Sequence, residues 1–500
     1  MEETSSDSEG YIPFGTPVGG LGLSEHHNGD LIYEDSDNFV EEDESDDDEL
    51  SEDEEQFRIH ETMEGDRLPC EGTQLNTGKE LAHVVENRQL NQRNAMSPRD
   101  SDSDVSTAAL LGYRSLGIGG SPYSLSRKIA TFDIIPDTAS NVLDRMESRG
   151  YIGQFTADGE RFIGAFQNER IIKIYDPLRN FKVVKSIQAR NLRWTITDTA
   201  MSPDGRFILY SSITPLVHLV TMHTDDPGIE SIANVTDIHE TLTFSNRSFS
   251  EGLWSIKWSG DGKEIVAGSS EPFVYIYDIE SQQIVSKLHH HQRDVNAVEY
   301  ADETNRIFYS GSDDSFIHVW DRRLLGRSGK PVGSFIGHTE GLAHLNSKNN
   351  SCHLISNAKD QTIKCWDMRN MASWNEAKEE QKKTDVPTFR WDYRWMTYPG
   401  TGKRIRHPRD KSIATYRGHQ VISTLIRSYW SPAHTTGQRY IYTGCGTGSI
   451  HIFDVVTGEK VRELEHHVDV VRDCSWHPYL PMLVSISFDG TVVSWEPSFH

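Results

Sequence analysis

A chain of 500 residues with an aromatic share of 10% is long enough for two ordinary domains or for one large repeat domain with a tail, and its mixed composition is that of a folded protein. No apolar run approaches the ~20 residues that cross a bilayer, and the start MEETSSDSEG lacks the basic and apolar regions of a signal peptide, which points to an intracellular protein, nuclear or cytoplasmic, with no membrane partner. The net charge of -25 argues against direct nucleic-acid binding, because neutralising phosphates takes a basic face.

The charge is concentrated near the N-terminus. Between Glu34 and Glu55, 15 of 22 positions are Asp or Glu and none is Lys or Arg, so this run supplies -15 and leaves -10 for the rest. Such a block repels itself and cannot bury a core; a disordered acidic tail is expected over residues 1–76, with a patch for basic partners such as histones as the second reading. Ser45 and Ser51 inside the block, and Ser101 in Ser-Asp-Ser-Asp, stand in contexts that suit acid-directed kinases.

Residues 77–149 read as a helical and linker segment. In Thr77–Asn94, Leu81, Val84, Val85 and Leu90 fall at roughly helical spacing, giving a short amphipathic helix that either packs on the main domain or inserts into a partner groove. The Gly- and Ser-rich stretch Gly112–Ser126 reads as a linker, and Ala139–Arg149 as a second helix.

From about residue 150 to 500 the sequence repeats. Its units end in Tyr175-Asp176, Val220-Thr221, Tyr277-Asp278, Trp320-Asp321, Trp366-Asp367, Phe453-Asp454 and Trp495-Glu496, spaced by 45, 57, 43, 46, 87 and 42 residues. Most of these spacings match one four-stranded propeller blade per unit, and the long ones call for insertions, about 223–250 and 370–414. Apolar residues alternate within units, as in Phe316-Ile317-His318-Val319-Trp320, and turns such as Ser202–Gly205 and Ser259–Gly262 separate strands. An all-β, seven-bladed propeller with a strand from each end joined in the last blade is expected, with residues near Arg127–Ile135 as the closing strand.

Three units carry a polar set at nearly fixed spacing: His291, Ser310, Asp314, Trp320; His338, Ser356, Asp360, Trp366; and His467, Ser485, Asp489, Trp495. An imidazole can bridge the serine and the aspartate while the indole N–H closes the chain, satisfying groups buried between strands. Recurrence in register with the repeat argues for a structural role and against a catalytic Ser-His-Asp triad. No activated cysteine, phosphate-binding glycine loop or metal-ligand set is evident, so neither an enzyme nor a cofactor or metal is expected. In His289-His290-His291 the third imidazole belongs to the blade set, and the other two are expected to face solvent.

These residues resemble the WD-repeat β-propellers over roughly 150–500. The match weakens at Val220-Thr221 and in the sixth unit, where Thr443 and Thr447 replace serine and aspartate. Two consecutive units also end in Trp-Asp-x-Arg, at Trp320–Arg323 and Trp366–Arg369. This resembles the docking box of WD-repeat substrate receptors for cullin-4 RING ubiquitin ligases, which contacts the adaptor damaged-DNA-binding protein one (DDB1). Carried over by residue, Asp321, Arg323, Asp367 and Arg369 match. A third copy, Trp391-Asp392-Tyr393-Arg394, lies in the long insertion and lacks the strand-end context.

That insertion runs from a helical segment, Trp374–Lys383, through the aromatic stretch Phe389–Trp395, readable as rim packing or as a recognition surface, to a basic cluster, Lys403–Lys411, readable as an import signal or a solvated loop. With the acidic tail it resembles the LEC14B-like proteins and the DDB1- and cullin-4-associated factor related to them. The resemblance implies a receptor that binds DDB1 and the cullin-4 ligase and presents a protein substrate for ubiquitination. A non-ligase scaffold of a nuclear chromatin or RNA-processing assembly is the alternative.

Overall fold

Strands in which nearly every side chain is buried require a sheet covered on both faces, and radially stacked blades supply that cover. The computed structural model describes residues 134–222, 239–245, 251–383, 389–399 and 405–498. The acidic run Glu34–Glu55, Ser45, Ser51, Ser101, the segment Thr77–Asn94 and the stretch Gly112–Ser126 lie outside the described residues.

Seven antiparallel sheets form the ring. Blade 1 begins with Gly150–Phe155, blade 2 with Ile196–Met201, blade 3 with Leu253–Trp258, blade 4 with Val295–Tyr300, blade 5 with Leu342–Ser347, blade 6 with Ser428–Trp430 and blade 7 with Val471–Trp476. The second and third strands are buried throughout in several blades, as in Ile317–Asp321 and Thr362–Asp367. Outermost strands such as Lys182–Gln188 and Gln283–His289 are largely exposed and lysine-bearing, which blunts an open edge.

Because neighbouring strands are antiparallel, the first-to-second and third-to-fourth connections leave on one face, called lower here. The second-to-third connections and the links to the next blade leave on the upper face. Turns such as Ser202–Gly205 use glycine at φ +70°, where the chain reverses with its amide on the Ser202 carbonyl.

The ring closes in blade 7 with a strand from each end of the domain, as expected, but the N-terminal strand is not the stretch expected. Thr138–Arg145 is a strand, pairing antiparallel with Thr491–Glu496 from Thr138↔Glu496 to Arg145↔Thr491. The helix expected over 139–149 is therefore absent, and the propeller takes in residues assigned to the preceding segment. Two register shifts, between Ala139 and Asn141 and between Val142 and Asp144, explain the error: each inserts a residue, so the apolar positions lose their two-residue period and imitate a helical one. The closing strand also lies beyond the 127–135 stretch expected for it. Ile135 is buried with the blade 6 and 7 core, while residues 127–133 are outside the described set.

The long insertion in blade 5 is built onto blade 4. Ala372–Ser373 pairs with Gly333–Phe335 and extends that sheet by a fifth strand. Helix Trp374–Glu380 follows, started by a capping box between Ser373 and Glu376, and buries Ala377 against Phe316, Ile336 and Ala372. The chain returns through His407 and Arg409, both within 4.0 Å of Glu380, to the outer strand Ala414–Arg417.

Candidate functional site

Asp321 and Asp367 end the third strands of blades 4 and 5 on the lower face. Each accepts the main-chain N–H two residues on, Arg323 at 2.9 Å and Arg369 at 2.8 Å. Equivalent bonds run from Leu178 to Asp176, from Glu280 to Asp278 and from Val456 to Asp454, so this turn belongs to the blade whatever residue follows. What distinguishes blades 4 and 5 is the arginine. Arg323 donates through Nε to Asp321 Oδ1 at 2.9 Å and through Nη2 to Oδ2 at 2.6 Å, and Arg369 donates through Nε to Asp367 at 3.0 Å. Their side chains remain 64% and 66% exposed, so two oriented guanidiniums stand on the surface at equivalent positions of adjacent blades. Arg322, between Asp321 and Arg323 in the chain, bridges instead to Glu264 of blade 3 at 3.0 Å.

The three repeated polar sets assemble on the upper side. His291 Nδ1 lies 2.9 Å from Asp314, its Nε2 2.8 Å from Ser310, and Trp320 Nε1 donates to Ser310 at 2.8 Å. His338, Asp360, Ser356 and Trp366 repeat this at 2.9, 2.6 and 2.7 Å, and His467, Asp489, Ser485 and Trp495 at 3.2, 2.7 and 2.7 Å. An ionised aspartate only accepts, so Nδ1 carries the proton, Nε2 accepts from the serine hydroxyl, and the serine oxygen accepts from the indole. Burial opposes the Asp314 charge, but the His291 interaction outweighs it and brings the carboxyl down to about 2. Asp360 and Asp489 are depressed in the same way.

His290 does not simply face solvent. It is half-buried, packs on Trp320 and Trp374, and binds the Gly329 carbonyl at 2.8 Å through Nε2. His318 stacks on His291 with ring centroids 4.1 Å apart, bringing His291, Asp314 and His318 within ligand range of one another; both His291 nitrogens are already engaged by Asp314 and Ser310. In blade 6 the set is rewired. Thr443 bonds the Arg427 carbonyl, Thr447 bonds Cys445, and His419 reaches back to Asn357 of blade 5 at 2.9 Å.

A chamber of about 430 Å³ opens at the upper end of the central channel, lined by the starts of the first strands and by the insertion. Tyr393 and Arg394 line it, held by a bond from the Ser423 N–H to the Tyr393 carbonyl at 2.8 Å and by the Lys359 ammonium 4.2 Å from the Tyr393 ring. The third Trp-Asp-x-Arg copy thus lies in turns on the upper face, away from the other two. Its neighbours divide between both readings of the aromatic stretch: Phe389 and Trp391 pack on Tyr398, whereas Trp395 and Met396 are 69% and 45% exposed. Beneath, Arg427 pairs with Asp198 at 2.6 Å and with Asp473 at 3.4 Å, all three buried. None of these channel residues was singled out from sequence, since no short motif contains them.

The WD domain, G-beta repeat family matches residues 282–321, 329–367 and 458–496, the units that carry the three His-Ser-Asp-Trp sets. The LEC14B protein of Lithospermum erythrorhizon is 47% identical over 358 residues, 71% of this chain and 74% of its own length. The chain belongs to the LEC14B family of WD-repeat proteins. The LEC14B homolog of Prunus armeniaca is 46% identical over 71% of this chain and 73% of its own length. A protein of Caenorhabditis elegans named DDB1- and CUL4-associated factor 11 homolog is 33% identical over 71% of this chain and 62% of its own length, so the likeness extends to proteins named for that association.

Proposed function

We propose that this chain is a substrate receptor of a cullin-4 RING ubiquitin ligase: its lower face docks a DDB1-type adaptor through Arg323 and Arg369, and another part of the propeller presents a protein substrate. The observation that carries this reading is the pair of exposed guanidiniums, each fixed by its own aspartate, at equivalent turns of adjacent blades. A planar fork held in one orientation loses little freedom when it meets a partner's acceptors. The relatives named for association with DDB1 and CUL4 support the same reading. Ubiquitin transfer would be carried out by other subunits, in the nucleus, the cytoplasm or both.

Capture of DDB1 and cullin-4 by the full chain, compared with an Arg323→Ala, Arg369→Ala double variant, tests the proposal. Loss of both partners in the variant is expected. Undiminished capture, or none by the unmodified chain, would leave the scaffold of a nuclear assembly as the better reading.

A further inference from the structure

The rewired polar set of blade 6 is built around a sulfur. Cys445 sits where the second strand, Tyr440–Gly444, turns toward the third, Ser449–Asp454, and it is buried. Its Sγ accepts the Gln420 N–H at 3.2 Å and the Thr447 hydroxyl at 3.0 Å. With its proton on the sulfur, Thr447 accepts from Ser449 at 2.9 Å, and Ser449 accepts from His451 Nε2 at 3.0 Å, the Glu463 carboxylate lying 3.4 Å from the same nitrogen. That order places the His451 proton on Nε2 and leaves Nδ1 bare. The ring is 2% exposed and Nδ1 is buried without a hydrogen-bond partner, as is Nδ1 of His419, the residue before Gln420.

A sulfur that receives two donors favours the thiolate, and a bare imidazole nitrogen beside it is the base that takes the thiol proton. Burial opposes the thiolate, but His451 and the Thr447 hydroxyl outweigh it and hold Cys445 down to about 7. Burial prevails at the other two buried thiols: it pushes Cys365 up to about 12 and Cys474 well above the ordinary range. Thr447, on the adjoining turn, is exposed while the sulfur is covered, which admits a small reagent and shuts out a bulky one. An oxygen atom added to the sulfur would find a donor in His451 Nδ1–H once that nitrogen is protonated.

We propose that Cys445 is a site of reversible oxidation by small hydroperoxides, with His451 as its base. The thiol proton moves to His451 Nδ1. The thiolate attacks one peroxide oxygen, the S–O bond forms as the O–O bond breaks, and the departing hydroxide or alkoxide takes the proton from His451. Sulfur loses two electrons and the peroxide gains them, giving a sulfenic acid and water or an alcohol. Two equivalents of a low-molecular-weight thiol return the sulfenic acid to the thiol, releasing water and a disulfide. This goes beyond the receptor reading and needs no part of it.

Dilute hydrogen peroxide applied to the full chain, followed by a dimedone probe and peptide mass spectrometry, tests the proposal. Cys445 should be labelled about tenfold faster than Cys352, which is more exposed, and than Cys365 and Cys474. Its rate should rise with pH through a midpoint of about 7, and dithiothreitol added before the probe should erase the label. His451→Gln and Thr447→Val should each slow the labelling several-fold at neutral pH and move the midpoint upward. Should His451→Gln fail to fold, Thr447→Val, at an exposed turn position, carries the test. Labelling of Cys352 first, equal rates at the four cysteines, no label at Cys445, or a pH profile that Thr447→Val leaves unmoved overturns the proposal. The Arg323→Ala, Arg369→Ala variant should be oxidised at the unmodified rate, which separates this result from the adaptor experiment.

Discussion

Arg323 is folded onto Asp321, its Nε and Nη2 donating to the two carboxylate oxygens at 2.9 and 2.6 Å while Oδ1 also holds the Arg323 N–H at 2.9 Å. One carboxylate therefore shapes the turn and aims the side chain. The two tasks are separable by mutation, because the turn needs only the aspartate.

Arg323→Ala should leave the melting temperature unchanged, whereas Asp321→Ala, which removes a turn bond like that of a helix cap, should cost about 1 kcal/mol. Both should weaken adaptor capture. Thermal melts beside the pull-down decide this; a large melt shift for Arg323→Ala would mean that the arginine serves the fold and not a partner.

Ser356 sits between His338 Nε2 and the Trp366 N–H, both buried. Ser356→Ala strands an acceptor and a donor at once and should cost about 2–3 kcal/mol, read from urea unfolding. Ser310→Ala and Ser485→Ala should behave alike, since the geometry is repeated. An exposed-serine control near zero fixes the scale.

The same sets predict an acid limb. A carboxyl whose folded pKa is depressed stabilises fully above its unfolded value near 4 and loses that contribution as pH falls through the folded value. For Asp314, brought down to about 2, the window is roughly pH 4 to 2 and the loss about 2 kcal/mol. Asp360 and Asp489 add to it in the same direction. Urea midpoints taken across this window should fall steeply in the unmodified chain and less so in His291→Ala, where Asp314 has lost its partner.

The propeller was legible because repetition multiplies a weak signal: seven strand ends, four of their six spacings between 42 and 46 residues, and three polar sets in register say more than any one of them. The paired arginines Arg323 and Arg369 stood out for the same reason, standing in consecutive units. The closing strand was misread because its two bulges disguise its period. The channel cluster was invisible because Asp198 and Arg427 are 229 residues apart and meet only when the ring closes. Sequence proximity carries no trace of such a meeting.

Closure itself can be tested by truncation. Asp144 on the closing strand receives Lys173 at 2.7 Å and Tyr175 at 2.8 Å, so this strand ties blade 7 to blade 1 as well as completing its own sheet. Removing residues 1–133 should preserve a cooperative melt. Removing 1–146 should abolish it and expose Thr491–Glu496 to proteolysis; a cooperative melt in the shorter chain would show that the ring holds without its closing strand.

Arg427 offers the strongest single perturbation of the core. Its guanidinium is buried with Asp198 and Asp473, and Arg427→Met would remove the strongest cationic neighbour of both carboxylates, at a cost of about 3–5 kcal/mol. Burial already holds Asp473 above the usual carboxylate range, even with Arg427 in place. In the variant Asp473 should rise further, and Asp198, which Arg427 and Lys257 hold below the usual carboxylate range, should rise as well, so the folded variant binds protons more tightly than the folded unmodified chain and its penalty lessens as pH falls. The difference between Arg427→Met and the unmodified chain should accordingly shrink from pH 7 towards pH 5, and Asp198→Asn with Asp473→Asn in the Arg427→Met background should recover part of the loss at pH 7. A gap that is constant with pH would place the cost in lost packing of the arginine stem and not in unpaired charge.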